Sequence, residues 1–131
     1  MNFVAQQTVL EQARSALEAR YGEAFARLSL GYYRNGADSV AWHGDYVARQ
    51  MRDATVATIS VGAPRPFWLR PKSGGPRISL SLGWGDLIVM GGSCQRTWEH
   101  AVPKQKRAAA RIAIMFRPAW EETSSHLQAS R

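Results

Sequence analysis

The sequence predicts a mainly β (α+β) fold, one N-terminal helix followed by a sandwich or barrel of short strands. Apolar residues recur at helical spacing only near the start, at Leu10, Ala13, Leu17 and Tyr21. The later apolar segments are short, alternating or β-branched, and separated by Gly and Pro turns, a pattern that argues for an all-β body. At 131 residues the chain is long enough for one domain and one core.

The helix comes first. Thr8 and Glu11 fit a capping box ahead of its apolar face, and Gly22 is placed to end it. Arg27 to Arg34 reads as a strand running into Asn35-Gly36, the strongest short hairpin signal. Ser39 to Trp42 is the next strand and leads directly to His43. A polar loop over Tyr46 to Asp53 precedes a β-branched strand over Thr55 to Val61. Pro64, Pro66 and Pro71 bracket a short strand around Phe67-Trp68-Leu69. After the Ser73-Gly74-Gly75-Pro76 turn, Arg77 to Leu82 alternates Ile78, Leu80 and Leu82 with polar neighbours. Gly83 to Asp86 turns the chain into Leu87 to Met90, apolar enough for a buried strand. Gly91-Gly92 breaks that run, and Gln95 to His100 is expected as another strand. Lys104 to Ala110 is a basic linker, Arg111 to Phe116 the last strand, and Thr123 to Arg131 a disordered tail.

Bulk properties narrow the function classes. Hydrophobic residues make up 45% and charged residues 21%, an ordinary globular composition. No apolar run approaches the roughly 20 residues needed to span a bilayer, and residues 1–7 lack the regions of a signal peptide. A single cysteine, Cys94, excludes an intramolecular disulfide, so a cytoplasmic home is the expectation, with Cys94 a core filler; separately, a monomer is expected. The net charge of +7 suits a polyanionic partner, although a solvated basic surface accounts for it equally well. Basic residues gather at Arg65, Arg70, Lys72 and Arg77 and again at Lys104, Lys106, Arg107 and Arg111, which suggests a basic rim around a site.

The candidate chemistry is a His-x-Asp pair, His43 and Asp45, with His100 as a third group. Two imidazoles and a carboxylate are the 2-His-1-carboxylate set that holds non-haem Fe(II) with coordination positions left open. Strand alternation puts His43 and Asp45 on one face, and His100 is expected from the opposite side of a barrel. A lone His-x-Asp is weak evidence, and is more often a hydrogen-bonded histidine at a strand end. On the last strand, Arg111, Ala113, Met115 and Arg117 point one way and Ile112, Ile114 and Phe116 the other. The two arginine backbones would lie roughly 20 Å apart, room for both side chains and a short dicarboxylate between them. An exposed edge face is the competing explanation. His126 falls in the polar tail.

The chain also resembles the AlkB family of Fe(II)/2-oxoglutarate-dependent dioxygenases, of the bacterial alkylation-repair type. The resemblance is carried by Tyr33 to Asp45, by Ser60-Val61-Gly62-Ala63-Pro64-Arg65, by Gly85-Asp86-Leu87 and Val89-Met90-Gly91-Gly92, by Cys94 to Lys104, and by Arg111-Ile112 through Phe116-Arg117-Pro118. It covers about residues 28 to 118. It implies a double-stranded β-helix, the jelly-roll or cupin-like fold. It implies that His43, Asp45 and His100 ligate Fe(II), that Arg111 and the Tyr33 hydroxyl hold the distal carboxylate of 2-oxoglutarate, and that Arg117 sits nearer the metal. The implied reaction consumes O2 and 2-oxoglutarate, yields succinate and carbon dioxide, and releases an N-methyl group of alkylated DNA or RNA as formaldehyde from a flipped-out base.

Three departures accompany the resemblance. Gly31 stands where the family usually has an asparagine, and Val47 where some relatives place an acidic residue that contacts the base. Little of the family's N-terminal nucleotide-recognition lid fits within residues 1–28. The expected organisation is therefore a catalytic domain over 1–118, largely without the lid, and a tail over 119–131. Two other functions stay open: a 2-oxoglutarate oxygenase acting on a protein or small molecule, and a catalytically silent fragment.

Overall fold

The computed structural model describes residues 3–45 and 51–119. Helix α1 (Phe3–Tyr21) is followed by β1 (Arg27–Tyr33), β2 (Val40–His43), β3 (Val56–Gly62), β4 (Arg65–Pro71), β5 (Ile78–Leu82), β6 (Leu87–Met90), a single helical turn α2 (Cys94–Thr97), β7 (Trp98–Val102) and β8 (Arg111–Arg117). The strands form two four-stranded sheets, in the orders β1-β8-β3-β6 and β2-β7-β4-β5, with every pair antiparallel. The chain crosses repeatedly between the two sheets, and this strand order is that of a jelly-roll. The expected double-stranded β-helix is the observed fold.

Strand alternation divides the apolar residues between two cores. On β3, Val56 faces the space between the sheets, where it joins Ala54, Phe67, Leu82, Met90 and Val102. Ala57, its neighbour, faces outward and packs with Phe116, Phe25 and Leu17 beneath α1. Phe25 and Phe116 meet edge to face, with ring centroids 6.5 Å apart. The helix therefore closes the outer face of one sheet, while the space between the sheets carries the site.

Several expectations need correction. Helix α1 begins at Phe3, so Thr8 lies inside it and not at its cap. Asn35-Gly36 does not close a hairpin: β1 pairs with β8, and β2 belongs to the other sheet. Instead the Asn35 side chain accepts a hydrogen bond from the Ala37 N–H at 2.9 Å, an Asx turn. Gly36 is selected by crowding, since a Cβ there would come within 2.1 Å of the Gln105 carbonyl oxygen.

The segment Gln95 to His100 is also not one strand. Ser93 accepts from Arg96 and Thr97 to make the turn of α2, and the strand starts at Trp98. The strand around Phe67 extends to Arg65–Pro71, because Pro66 pairs only with β5 while β7 pairing begins at Trp68. β6 is an edge strand with Leu87 exposed, and only Met90 is fully buried. The loop over Tyr46 to Asp53 is described only from Met51, and Val47, His126 and the tail over Thr123 to Arg131 lie outside the described residues.

Candidate metal and cosubstrate site

A cavity of about 250 Å³ lies between the sheets, lined by His43, Asp45, His100, Tyr33, Arg111 and Arg117 among others. The second sheet supplies the first three. His43 closes β2, and His100 is its direct register partner on β7, with ring centroids 4.3 Å apart. His100 thus reaches the site from the adjacent strand, not from across a barrel. Asp45 follows two residues after His43, and their facing atoms Nε2 and Oδ1 are 4.0 Å apart. One ligand atom from each of the three side chains lies within 4.8 Å of the others.

Local hydrogen bonds aim these groups. His43 Nδ1 lies 2.7 Å from the Ala41 carbonyl oxygen, so that nitrogen donates and Nε2 keeps its lone pair for a ligand. The Asp45 backbone N–H donates to Gln95 Oε1 at 2.7 Å, and Gln95 is almost wholly buried. The turn α2, which the sequence reading took as strand, therefore serves to place Gln95. Phe67 stacks on the His100 ring at 5.4 Å. Burial, reinforced by His43 and Arg117 against an opposing pull from Asp45, lowers the His100 pKa to about 4. His100 is neutral near pH 7 and able to bind a metal without first losing a proton. Donor type, spacing and protonation all fit a divalent iron site.

The first sheet supplies the arginines. Arg111, Ala113, Met115 and Arg117 all line the cavity, as strand parity predicts. The Arg111 side chain is buried, donates from Nε to Ser60 Oγ at 2.9 Å, and stands over the Tyr33 ring at 4.9 Å. Burial lowers its pKa from the ordinary arginine value, yet no carboxylate of the described residues is paired with it. Arg117 reaches across the sandwich, donating from Nε to Asp45 Oδ2 and from Nη1 to Ser29 Oγ at 2.6 Å. Ser29, Ser60 and Gln95 escaped sequence reasoning. Parity with Tyr33 would have placed Ser29 on the inner face, but nothing in the sequence marks Gln95.

The basic rim is smaller than the sequence suggested. Arg65 and Arg111 are buried, and Arg70 is paired with Glu99 at 3.1 Å. Lys72, Arg77, Lys104, Lys106 and Arg107 are exposed. Among the described residues no helix is long and apolar enough to cross a membrane.

The family described as the 2OG-Fe(II) oxygenase superfamily matches residues 4–125. A human protein named alpha-ketoglutarate-dependent dioxygenase alkB homolog 3 is 32% identical over 124 residues, covering 87% of this chain and 43% of that protein. The Arabidopsis thaliana protein named DNA oxidative demethylase ALKBH2 is 33% identical over 120 residues, covering 73% of this chain and 38% of that protein. The chain thus spans less than half the length of these curated relatives. Among solved structures, that of OsALKBH1 superposes with a TM-score of 0.56 at 17% identity, over 86% of this chain and 60% of that one. A capsular polysaccharide assembling protein, CapF from Staphylococcus aureus, superposes with a TM-score of 0.52 at 12% identity, over 73% of this chain and 25% of that one. At such identity the two structures bear on the fold alone.

Proposed function

The chain belongs to the 2OG-Fe(II) oxygenase superfamily and is AlkB-like within it; on that premise we propose that it is an oxidative N-demethylase of alkylated bases in DNA or RNA. The observation that carries the reading is the convergence of His43, Asp45 and His100 on a cavity whose other wall holds Arg111. These three residues would hold Fe(II), and Arg111 with Tyr33 would bind the distal carboxylate of 2-oxoglutarate. When bound, the iron supplies O2 activation coupled to oxidation of the 2-oxo acid to succinate and carbon dioxide.

The chain's own groups bind, orient and exclude water. Arg111 is charged and buried, so its attraction to a carboxylate is weakly screened. Ser60 fixes its guanidinium, and Arg117 steadies the Asp45 carboxylate. Val56, Phe67, Met90 and Met115 keep the cavity otherwise apolar. Nucleic acid as the substrate is supported by the similarity to the Arabidopsis thaliana DNA oxidative demethylase and by the exposed cations of the β7–β8 connection, Lys104, Lys106 and Arg107. The product would be a free base with release of formaldehyde.

The experiment incubates the protein with Fe(II), 2-oxoglutarate and an oligonucleotide bearing N-methylated adenine or cytosine, then measures succinate and formaldehyde. Formaldehyde should form in step with succinate and vanish in His43→Ala and Asp45→Ala. Succinate formation that methylated oligonucleotides fail to stimulate would reject the base substrate in favour of a protein or small molecule. No iron-dependent succinate at all would reject catalysis by this chain.

A further inference from the structure

Arg65 opens β4 and is completely buried. Its Nη1 donates to the Asn35 carbonyl at 3.1 Å, and its Nη2 to the carbonyls of Asp38 and Pro103, each at 2.8 Å. Every acceptor is a neutral backbone oxygen, and Nε has no partner. Asp38, the carboxylate that feels Arg65 electrostatically, is bonded to the side chain and backbone N–H of Arg34. A guanidinium taken out of water without a bonded counter-ion is unfavourable unless something else compensates its charge. Tying two loops together does not require a fixed charge.

The guanidinium has a second neighbour. Its carbon lies 5.4 Å from the centre of the Tyr33 ring, and that of Arg111 lies 4.9 Å from the same ring. Both cations are buried, both stand over the tyrosine that lines the cavity, and the charge on Arg65 adds to burial in lowering the Arg111 pKa. Two buried like charges that sense one another are relieved together by one anion placed between or beside them.

We propose that Arg65 is a second cation behind the distal-carboxylate end of the cosubstrate site, a positioning residue outside the cavity lining that holds Tyr33 beside Arg111 and adds its charge to the pull on the distal carboxylate. This rests on the reading that Arg111 binds that carboxylate. A residue that only ties loops would affect every ligand of the cavity alike. A residue acting through charge would affect only a ligand that carries the distal carboxylate.

The test compares 2-oxoglutarate with 2-oxovalerate, which has a methyl group in place of the distal carboxylate, by calorimetric titration of the Mn(II)-loaded protein. Arg65→Gln keeps hydrogen-bonding capacity and removes the charge. It should weaken 2-oxoglutarate about tenfold and 2-oxovalerate by no more than about twofold. Arg65→Lys keeps the charge and should preserve most of the preference for the dicarboxylate even if its melting temperature falls. Parallel weakening of both ligands in Arg65→Gln overturns the inference, as does loss of the preference in Arg65→Lys. Where Arg65→Gln does not fold, Arg65→Lys alone decides between these outcomes. Arg111→Gln in the same assay separates the two levels, since a preference that survives there overturns the underlying reading instead.

Discussion

Asp45 is held by Arg117 in a partly closed interior, and the same carboxylate is the only acidic member of the candidate metal set. Removing one partner of such a pair leaves a buried charge uncompensated, at a cost of about 2 kcal/mol or more. A divalent ion on Asp45 would restore the compensation. Arg117→Gln should therefore destabilise the metal-free protein more than the metal-loaded one, widening the rise in melting temperature on adding Mn(II). An unchanged rise would separate Arg117 from the metal's carboxylate. His100 gives a pH test in the metal-free protein. Its pKa falls from an ordinary 6.5 to about 4 on folding, so between those values the unfolded chain binds the extra proton. Its contribution to stability is present in full above pH 6.5 and is lost as the pH falls towards 4. Urea midpoints measured across that window should decline with acid, and less steeply in His100→Gln.

Elements were legible where local pattern and tertiary demand agreed. β3 and β8 combine β-branched or apolar alternation with a face on each core, and both were located to within a residue or two. Arg111 and Arg117 were legible for the same reason, as parity on a strand carries over to the cavity wall. Asp45, expected on one strand face with His43, instead lies two residues past the end of β2 and is placed by its bond to Gln95. The failures have tertiary causes. Residues 94–97 turn as a helix so that Gln95 meets the Asp45 N–H, fifty residues earlier in the chain. Asn35-Gly36 looks like a hairpin turn, but the glycine is there because another loop passes against it. Gly36→Ala should cost about 2–3 kcal/mol by overpacking, a fall of roughly 10 °C in melting temperature. Gly31→Ala, whose Cβ would meet nothing closer than the flexible Met115 Cε at 3.4 Å, should change stability little. Equal melting temperatures for the two variants would contradict the close approach.

At the scale of the whole molecule, the net charge of +7 did not translate into a uniform basic rim, because the fold spends its cations in three ways. Arg65 and Arg111 are internal, Arg70 is neutralised by Glu99, and Lys104, Lys106 and Arg107 stay exposed on the β7–β8 connection. Counting charges along the chain could not separate these fates, since burial is decided by strand parity and loop packing. The separation has a measurable consequence. Exposed cations that meet phosphates release counterions, so binding to a single-stranded oligonucleotide should weaken with salt at a log–log slope of about −0.7 per contact. Replacing Lys104, Lys106 and Arg107 together by Gln should reduce that slope by about 2 if all three contact phosphate. The affinity for 2-oxoglutarate should not move, because none of the three lines the cavity between the sheets. A variant with an unchanged salt slope would remove this connection from the nucleic-acid interface. One with weakened 2-oxoglutarate binding would instead mean that the rim and the internal cations form a single electrostatic unit.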